Sequence, residues 1–465
     1  MDHLKPTILT IFAFLAFGSS AFAETLTLDE AIQIATQNNQ SLQAAEYDAD
    51  IWNNERKSMR GHFLPVLRAE VNAMIWDSGN RFAFDMSGME QAMAQMTGGS
   101  VTLPPMEVQV RDQFVVGTTI MAIQPLTQIF KIYHGYKAND NMFKASQSGS
   151  DKIRHQLEND LTSAFFSHLG ALQMLQSAEA ALKQVEAFEQ LTKDYLKAEL
   201  AEKEDLLKVE VQKAEILKAI FQAKKGIRLT ASMINMYMGR PLNTTFEISF
   251  EDRENFKAIL TRPLNKQQQE AVEKRPELIS ARYQKMAAAS GKNAMIGNML
   301  PDINLVASYK NNYGMGDMML ENEFFGGLML SWNFWEWGAK YYKMKAAEAK
   351  FNKASKSIAF AEEGIKLDVE QKRLNLEEAV KQREVAKAKL QHANENLRIE
   401  NSKYKVQEST ATDLLQAQTS ALRAENDLTV AMMQIRVAQH QLLLAMGIDL
   451  VNQSYQQNTS SNRFE

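Results

Sequence analysis

Residues 361–418, AEEGIKLDVEQKRLNLEEAVKQREVAKAKLQHANENLRIENSKYKVQESTATDLLQAQ, decide how this chain folds. They sit inside a longer run, Tyr341 to Gly447, that contains no proline and one interior glycine, Gly364. Ile365, Val369, Leu376, Val380, Ala386, Leu390 and Leu397 step mostly by four or seven between Lys, Glu and Gln. That spacing is helical, with a narrow seam like that of a coiled coil. The pattern breaks once, at Glu408-Ser409-Thr410-Ala411-Thr412-Asp413, small polar residues that disfavour helix interiors and supply caps. Thr412 is expected to cap the next helix, with Asp413 at its positive end. The run therefore reads as two antiparallel helices joined by a tight turn. The ascending arm, about 65 residues at about 1.5 Å each, reaches roughly 100 Å.

The same object occurs earlier. Tyr133 matches Tyr341, Asp205-Leu206-Leu207 matches Asp413-Leu414-Leu415, and Met238-Gly239 matches Met446-Gly447, each pair 208 positions apart (341 − 133, 413 − 205, 447 − 239). A second block precedes it. Leu42, Tyr47, Leu64 and Pro65 match Leu278, Tyr283, Leu300 and Pro301 at an offset of 236 (278 − 42, 301 − 65). The offset falls by 28 between the blocks (236 − 208), so the first copy carries that many extra residues between Pro65 and Tyr133. The chain is an internal duplication of one extended unit.

Composition narrows the function classes. Lys and Arg number 52 against 56 acids, which gives no basic excess for nucleic acid. There is no cysteine, so disulfides, thiolate metal sites, cysteine nucleophiles and a lipidated N-terminal cysteine are excluded together. Lys5, the apolar run Ile8 to Phe17 and the small-x-small site Ala21-Phe22-Ala23 read as a signal peptide over 1–23, with a mature start at Glu24. Beyond it no apolar stretch approaches the roughly 20 residues of a spanning helix, so any membrane crossing must use strands. No phosphate-binding Gly-Lys-Ser or Gly-Lys-Thr loop is present, and the seven histidines lack metal-ligand spacing. His168 falls on the stripe Leu161, Phe165, Leu172, Leu175 and reads as a core or interface residue. Most carboxylates stand at helical spacing from lysines, as on a solvated surface. Nothing supports an enzyme, a cofactor or a metal centre.

Taken in order, Thr27-Leu28-Asp29-Glu30 is a capping box that opens a helix through Met59, and its repeat runs from about Leu264. Arg275-Pro276 predicts a kink or restart inside the repeat. After each Leu-Pro the period switches to two. Strands are expected at about 66–76 and 114–124 in the first copy, and at about 302–312 and 323–333 in the second. Leu328, Leu330, Trp332 and Phe334 share one face of the last strand, and Trp332, Trp335, Trp337, Tyr341 and Tyr342 form an interfacial aromatic belt. Four such staves cannot close a barrel alone, so several chains must share one. The strands are joined by a long loop, 77–113, and a short one, 313–322. Met86, Met89, Met93 and Met96 recur by three and four in the first, a spacing that would line a short helix face, and Met315, Met318 and Met319 sit in the second. Thioethers suit Cu(I) or Ag(I), but the plainer reading is an adaptable apolar surface packing loop against loop. Residues 240–263 read as a connector with a short strand near Thr245 to Phe250, and 448–465 as a disordered tail.

A duplicated helix, strand pair and long helical hairpin behind a signal peptide resembles the TolC family of bacterial outer-membrane efflux channels. The resemblance rests on Leu26-Thr27-Leu28-Asp29-Glu30-Ala31, the Leu-Pro before each first strand, Asp205-Leu206-Leu207, Asp413-Leu414-Leu415-Gln416-Ala417-Gln418 and the closing Met-Gly pairs. It implies a mainly α fold with a membrane β-barrel, in two repeats at 24–239 and 264–447. Three chains would form a twelve-strand barrel that continues as an α-helical periplasmic tunnel. It also implies an outer-membrane exit duct for efflux or type I secretion, working with a periplasmic adaptor and an inner-membrane pump of the RND or ABC class. Asp205, Asp413 and Gln416 would then lie at the periplasmic aperture, where family relatives often carry a second acid in place of Gln416. Ala201, Lys203, Glu204, Ser409, Thr410 and Thr412 would be the adaptor-facing tips. A secreted coiled-coil scaffold and a general diffusion porin are the competing readings, the second leaving the rods unexplained.

Overall fold

The structure, a computed structural model, describes residues 24–250, 256–316 and 319–448. The expected signal peptide, the tail beyond Ile448 and Met318 lie outside the described residues. In chain order the elements are β1 (Glu24–Leu26), α1 (Leu28–Asn38), α2 (Gln40–Gly61), β2 (Val66–Ile75), β3 (Asn80–Phe84), α3 (Ser87–Thr97), β4 (Met106–Arg111) and β5 (Phe114–Pro125). Then come α4 (Ile129–Lys197), α5 (Lys203–Tyr237), β6 (Phe246–Ile248), α6 (Phe256–Leu260), α7 (Leu264–Lys274), α8 (Pro276–Gly297), β7 (Asp302–Tyr313), β8 (Asn322–Ser331), α9 (Ala339–Lys405) and α10 (Ala411–Ala445).

In the helices that flank the strands and close each hairpin the duplication is preserved to the residue. α1 and α2 recur as α7 and α8 at the 236 offset, and α5 recurs as α10 at 208. One expectation needs correction: the first helix is not continuous to Met59 but breaks at Asn39. The cause is not proline. Asn39 and Arg275 hold matching positions, and each leaves the helix in extended geometry while its N–H still donates to a carbonyl four residues back, Ala35 and Ala271. Pro276 advertises the break in one copy only. The Thr27–Glu30 capping box forms as read, with the Thr27 N–H donating to Glu30 Oε2 at 2.9 Å.

The described residues divide into two compact units, each drawing on both repeats. One holds residues up to Gln40, 154–270 and 368 onward. Its core stacks Phe165, Phe166, Leu161, Ile234 and Leu376, all essentially solvent-free. Here the connector is more structured than a linker. β6 pairs in parallel with β1, and the Arg373 guanidinium donates to the carbonyls of Arg262 at 2.7 Å and Leu260 at 3.0 Å. His168 is buried, its Nδ1 2.8 Å from Thr230 Oγ1, as its stripe predicts.

The other unit holds 41–153 and 271–367. Its centre is one antiparallel sheet in the order β2-β5-β7-β8. The register aligns the oily halves of all four alternations. Val71 stands opposite Thr118, Leu67 opposite Ala122, Ile120 opposite Tyr309, Leu305 opposite Leu328 and Ile303 opposite Leu330. Arg68, Glu70, Asn72, Lys310 and Glu323 share the opposite face. Thr127 locks the lower edge by donating to the Pro301 carbonyl at 2.7 Å and accepting the Ile303 N–H at 2.9 Å. Within the long loop β3 and β4 pair as a hairpin carrying α3, the short helix on which Met89, Met93 and Met96 recur. β8 stops at Ser331, so Trp332 and Phe334 lie beyond the strand rather than on its face.

Candidate functional site

The candidate site residues fall in two places, the hairpin tips and the helix side of the sheet. At the tips, α4 and α9 end alike. Leu200 N–H donates to the Tyr195 carbonyl at 2.8 Å and Glu408 N–H to that of Lys403 at 2.9 Å. Each reversal turns on a residue in the left-handed region, Glu199 at φ 58° and Gln407 at φ 63°. These are Schellman endings built without the usual glycine, which is why composition did not mark them.

The following helices open on different chemistry. α10 is capped by Thr410, not by Thr412 as its composition suggested. The geometry explains the shift: Thr410 has extended φ/ψ, and its hydroxyl accepts the N–H of Asp413, the third helical residue. Asp413 Oδ2 in return accepts the Thr410 hydroxyl at 2.6 Å and N–H at 3.2 Å. Those bonds hold the Asp413 carboxyl below the usual carboxylate range, the hydroxyl contributing most. At the first tip the matching residue is Glu202, which brings no hydroxyl. Asp205 accepts the Glu202 N–H at 3.3 Å and lies 4.0 Å from the Lys208 ammonium, which bridges Glu204 at 2.8 Å. That bridge holds the Glu204 carboxyl low and the Lys208 ammonium high.

The two tips enclose a cleft of about 710 Å³. Ala201, Glu204, Asp205, Ser409, Thr410 and Thr412 line it, whereas Lys203, Asp413 and Gln416 do not and stand exposed instead. Its floor is Tyr404, buried against Phe188 edge to face at 4.9 Å and stacked with Tyr195 at 6.1 Å. Burial pushes the Tyr404 phenol up. Glu202, Tyr195, Tyr404 and Lys208 were missed by sequence reading. The 208 offset alone could have paired Glu202 with Thr410, but nothing local marks the tyrosines.

On the helix side of the sheet, Trp332, Trp335, Trp337, Tyr341 and Tyr342 are all exposed, Trp337 by 88%. Trp335 and Trp337 meet edge to face at 5.8 Å and Tyr341 and Tyr342 at 5.3 Å. Trp332 Nε1 donates to the Met299 carbonyl at 3.3 Å, so its apolar ring lies outward. The α3 methionines are not buried: Met89, Met93 and Met96 are exposed, and no residue of α3 is buried.

Residues 268–448 match the family model described as outer membrane efflux protein. No curated protein matches the chain in sequence. Solved structures match its fold almost end to end. CusC aligns at TM-score 0.75 and 13% identity, over 97% of this chain and 99% of that one. The CmeC outer membrane channel of Campylobacter jejuni aligns at 0.74 and 12%, over 92% and 88%. The open-state MtrE outer membrane channel of Neisseria gonorrhoeae aligns at 0.69 and 18%, over 90% and 89%. Residues 268–448 are thus similar to the outer membrane efflux protein family, and along nearly its whole length the chain has the fold of the TolC-type channels.

Proposed function

We propose that this chain is the outer-membrane channel of a tripartite efflux or export assembly, with its strands in the membrane and its helical arms in the periplasm. The observation that carries the reading is the sheet. Leu67, Val71, Ile75, Phe324, Leu328 and Leu330 lie on one face, and each is more than 60% exposed. Among the described residues, β2 and β8 have no pairing partner on their outer edges. Water would penalise that oily face, and lipid would penalise the unpaired edges at several kcal/mol per polar group. Three copies remove both problems, because β8 of one chain can pair with β2 of the next until twelve strands close. A periplasmic scaffold would turn the apolar face inward, so that reading is set aside. A simple porin has no use for hairpins this long.

In such a trimer the tips converge on the periplasmic aperture. Asp413 and Asp205 supply repeated carboxylates there, and Gln416 replaces a further acid with a neutral amide. Repeated carboxylates favour cations and repel one another. The lowered titration of Asp413 keeps it charged throughout the neutral range. The tip cleft, with Ala201, Glu204, Ser409, Thr410 and Thr412, supplies the surface for a periplasmic adaptor, and Lys203 stands at its margin. An inner-membrane pump of the RND or ABC class would supply the energy, and this chain acts as a conduit rather than an enzyme. The aromatic residues anchor the barrel at the lipid interface.

Reconstitution in planar bilayers tests the reading. The trimer should conduct, and Asp413→Ala should change its conductance or cation preference. Carbonate should leave the protein in the membrane fraction. A trimer silent in bilayers, or a protein that washes off, would overturn the proposal.

A further inference from the structure

The four helix ends that abut the sheet share a charge pattern that the channel reading does not require. α2 enters β2, α8 enters β7, β5 leads to α4 and β8 leads to α9. The register puts all four junctions at one end of the sheet, with Val66 opposite Ile123 and Asp302 opposite Ser331. Cations outnumber acids at each junction: three to one over residues 53–62, three to one over 129–144, two to none over 285–298 and six to two over 336–356. The chain as a whole is net −4, so this is a local reversal. At the opposite end of the sheet the sign changes, since residues 77–113 carry Arg81 and Arg111 against five acids.

Some junction cations are ion-paired, Arg56 and Lys144 with Asp140, Lys340 with Glu336 and Lys345 with Glu348, and others are not. Along the arms, Lys193, Lys213, Lys389 and Lys403 each bridge a carboxylate. Lys57, Arg60, Lys131, Lys343, Lys350 and Lys353 are exposed and take part in no ion pair among the described residues. Lys343 directly follows Tyr341 and Tyr342 and lies six residues after the exposed Trp337 (343 − 337). Lysine stems can lie along an apolar surface while the ammonium reaches the phosphate layer beside it.

We infer that this basic collar binds the phosphate headgroups of anionic phospholipids in the leaflet on the helix side of the barrel. The inference rests on the membrane-channel reading, because a collar matters only if the sheet lies in lipid. The aromatic rings beside the lysines select a membrane over a soluble polyanion, as they give the same surface a lipid-interface anchor. Juxtamembrane cations attract anionic lipid additively, and the attraction fades within a Debye length.

Full-length protein is inserted into phosphatidylcholine vesicles and into vesicles with about 30% phosphatidylglycerol, with carbonate-resistant protein and phosphatidylglycerol retained in native mass spectrometry as readouts. Phosphatidylglycerol should speed insertion about tenfold and remain bound, and 0.5 M (about three times physiological) salt should erase the difference. The triple variant Lys343→Gln, Lys350→Gln, Lys353→Gln should lose most of the preference. The control Lys381→Gln, Lys389→Gln, Lys403→Gln, which removes equal charge from the paired arm, should keep it. Equal insertion in both lipids, or a preference unchanged by the first triple variant, would overturn the collar. If neither lipid gives carbonate-resistant protein, the channel reading itself fails. The salt titration on unaltered protein stands whatever the variants do to folding.

Discussion

α5 and α10 are the same helix twice, 35 residues each and in matching register, yet the protomer treats them differently. α10 buries fifteen residues and α5 only five. The buried set of α10 is rich in alanine, including Ala411, Ala417, Ala421, Ala424, Ala431 and Ala438. Small side chains allow close helix approach, so α10 serves as the inner pillar. α5 instead presents Leu207, Val211, Phe221, Leu229 and Met236, each at least half exposed. Duplication has kept the backbone and divided the labour: one arm holds the protomer together and the other keeps an apolar face for a neighbour.

The largest expected effect breaks that division at α5. Val211→Glu with Phe221→Glu should abolish trimer assembly while leaving the helical circular dichroism of the monomer unchanged. The positions matching these in α10 are Thr419 and Thr429, the latter buried, so the exposed bulk belongs to one copy only. Light scattering after size exclusion reads the result, and an intact trimer would show that α5 is not an interface.

Leu414→Ala tests the inner pillar. Leu414 is 2% exposed within a cluster that includes Val209, Phe188 and Tyr404, so its truncation should cost about 3 kcal/mol in denaturant unfolding. The matching Leu206→Ala, at a half-buried position, should cost roughly a third as much. Equal losses would erase the contrast between the arms.

A third difference is acid sensitivity. His440 of α10 stands where α5 has Ser232. Its Nδ1 is enclosed and without a hydrogen-bond partner among the described residues. Burial, helped by the Arg436 cation, lowers its titration to about 4 from the ordinary 6.5. The unfolded chain therefore binds a proton that the native chain refuses between those values, and stability falls as pH drops through that window. The loss should approach about 2 kcal/mol near pH 4, allowing for the partial exposure of the ring. His440→Leu should flatten the profile. A parallel profile for the variant would place the acid sensitivity elsewhere.

Much of this architecture was legible because helical seams, strand alternation and constant offsets are properties of neighbouring residues. Leu376, Val369 and Ile365 carry the seam, and Leu67 to Ile75 carry the oily face, without reference to anything distant. What stayed hidden depends on backbone state or on remote partners. The break at Asn39 has no proline to announce it. The tip reversals use Glu199 and Gln407 at positive φ, where glycine would have been the signal. β1 is three residues long and gains meaning only from β6, more than 200 positions away. The burial asymmetry of α5 and α10 is likewise invisible in a register that treats them as equals.

The smallest effect concerns the caps and bears on whether the tips differ in rigidity as well as charge. Thr410→Ala removes the hydroxyl that both accepts from Asp413 N–H and donates to Asp413 Oδ2, and N-cap truncations of this kind cost about 1 kcal/mol. Glu202→Ala removes a side chain that supplies no hydroxyl, while the bond from its own N–H to Asp205 survives. Its cost should be a few tenths of a kcal/mol. The two tips share a backbone, so a difference in amide hydrogen exchange between their first turns reads the Thr410 hydroxyl against the Lys208 ion pairs. Slower exchange is expected at Asp413 than at Asp205, and Thr410→Ala should bring the two together. Acid should do the same, because Asp413 is held below the usual carboxylate range by those hydrogen bonds. The stability it lends is present above its unfolded titration and is lost as pH falls through the lowered native one. If Thr410→Ala leaves the exchange rates apart, the difference between the tips resides in the Lys208–Glu204 bridge instead.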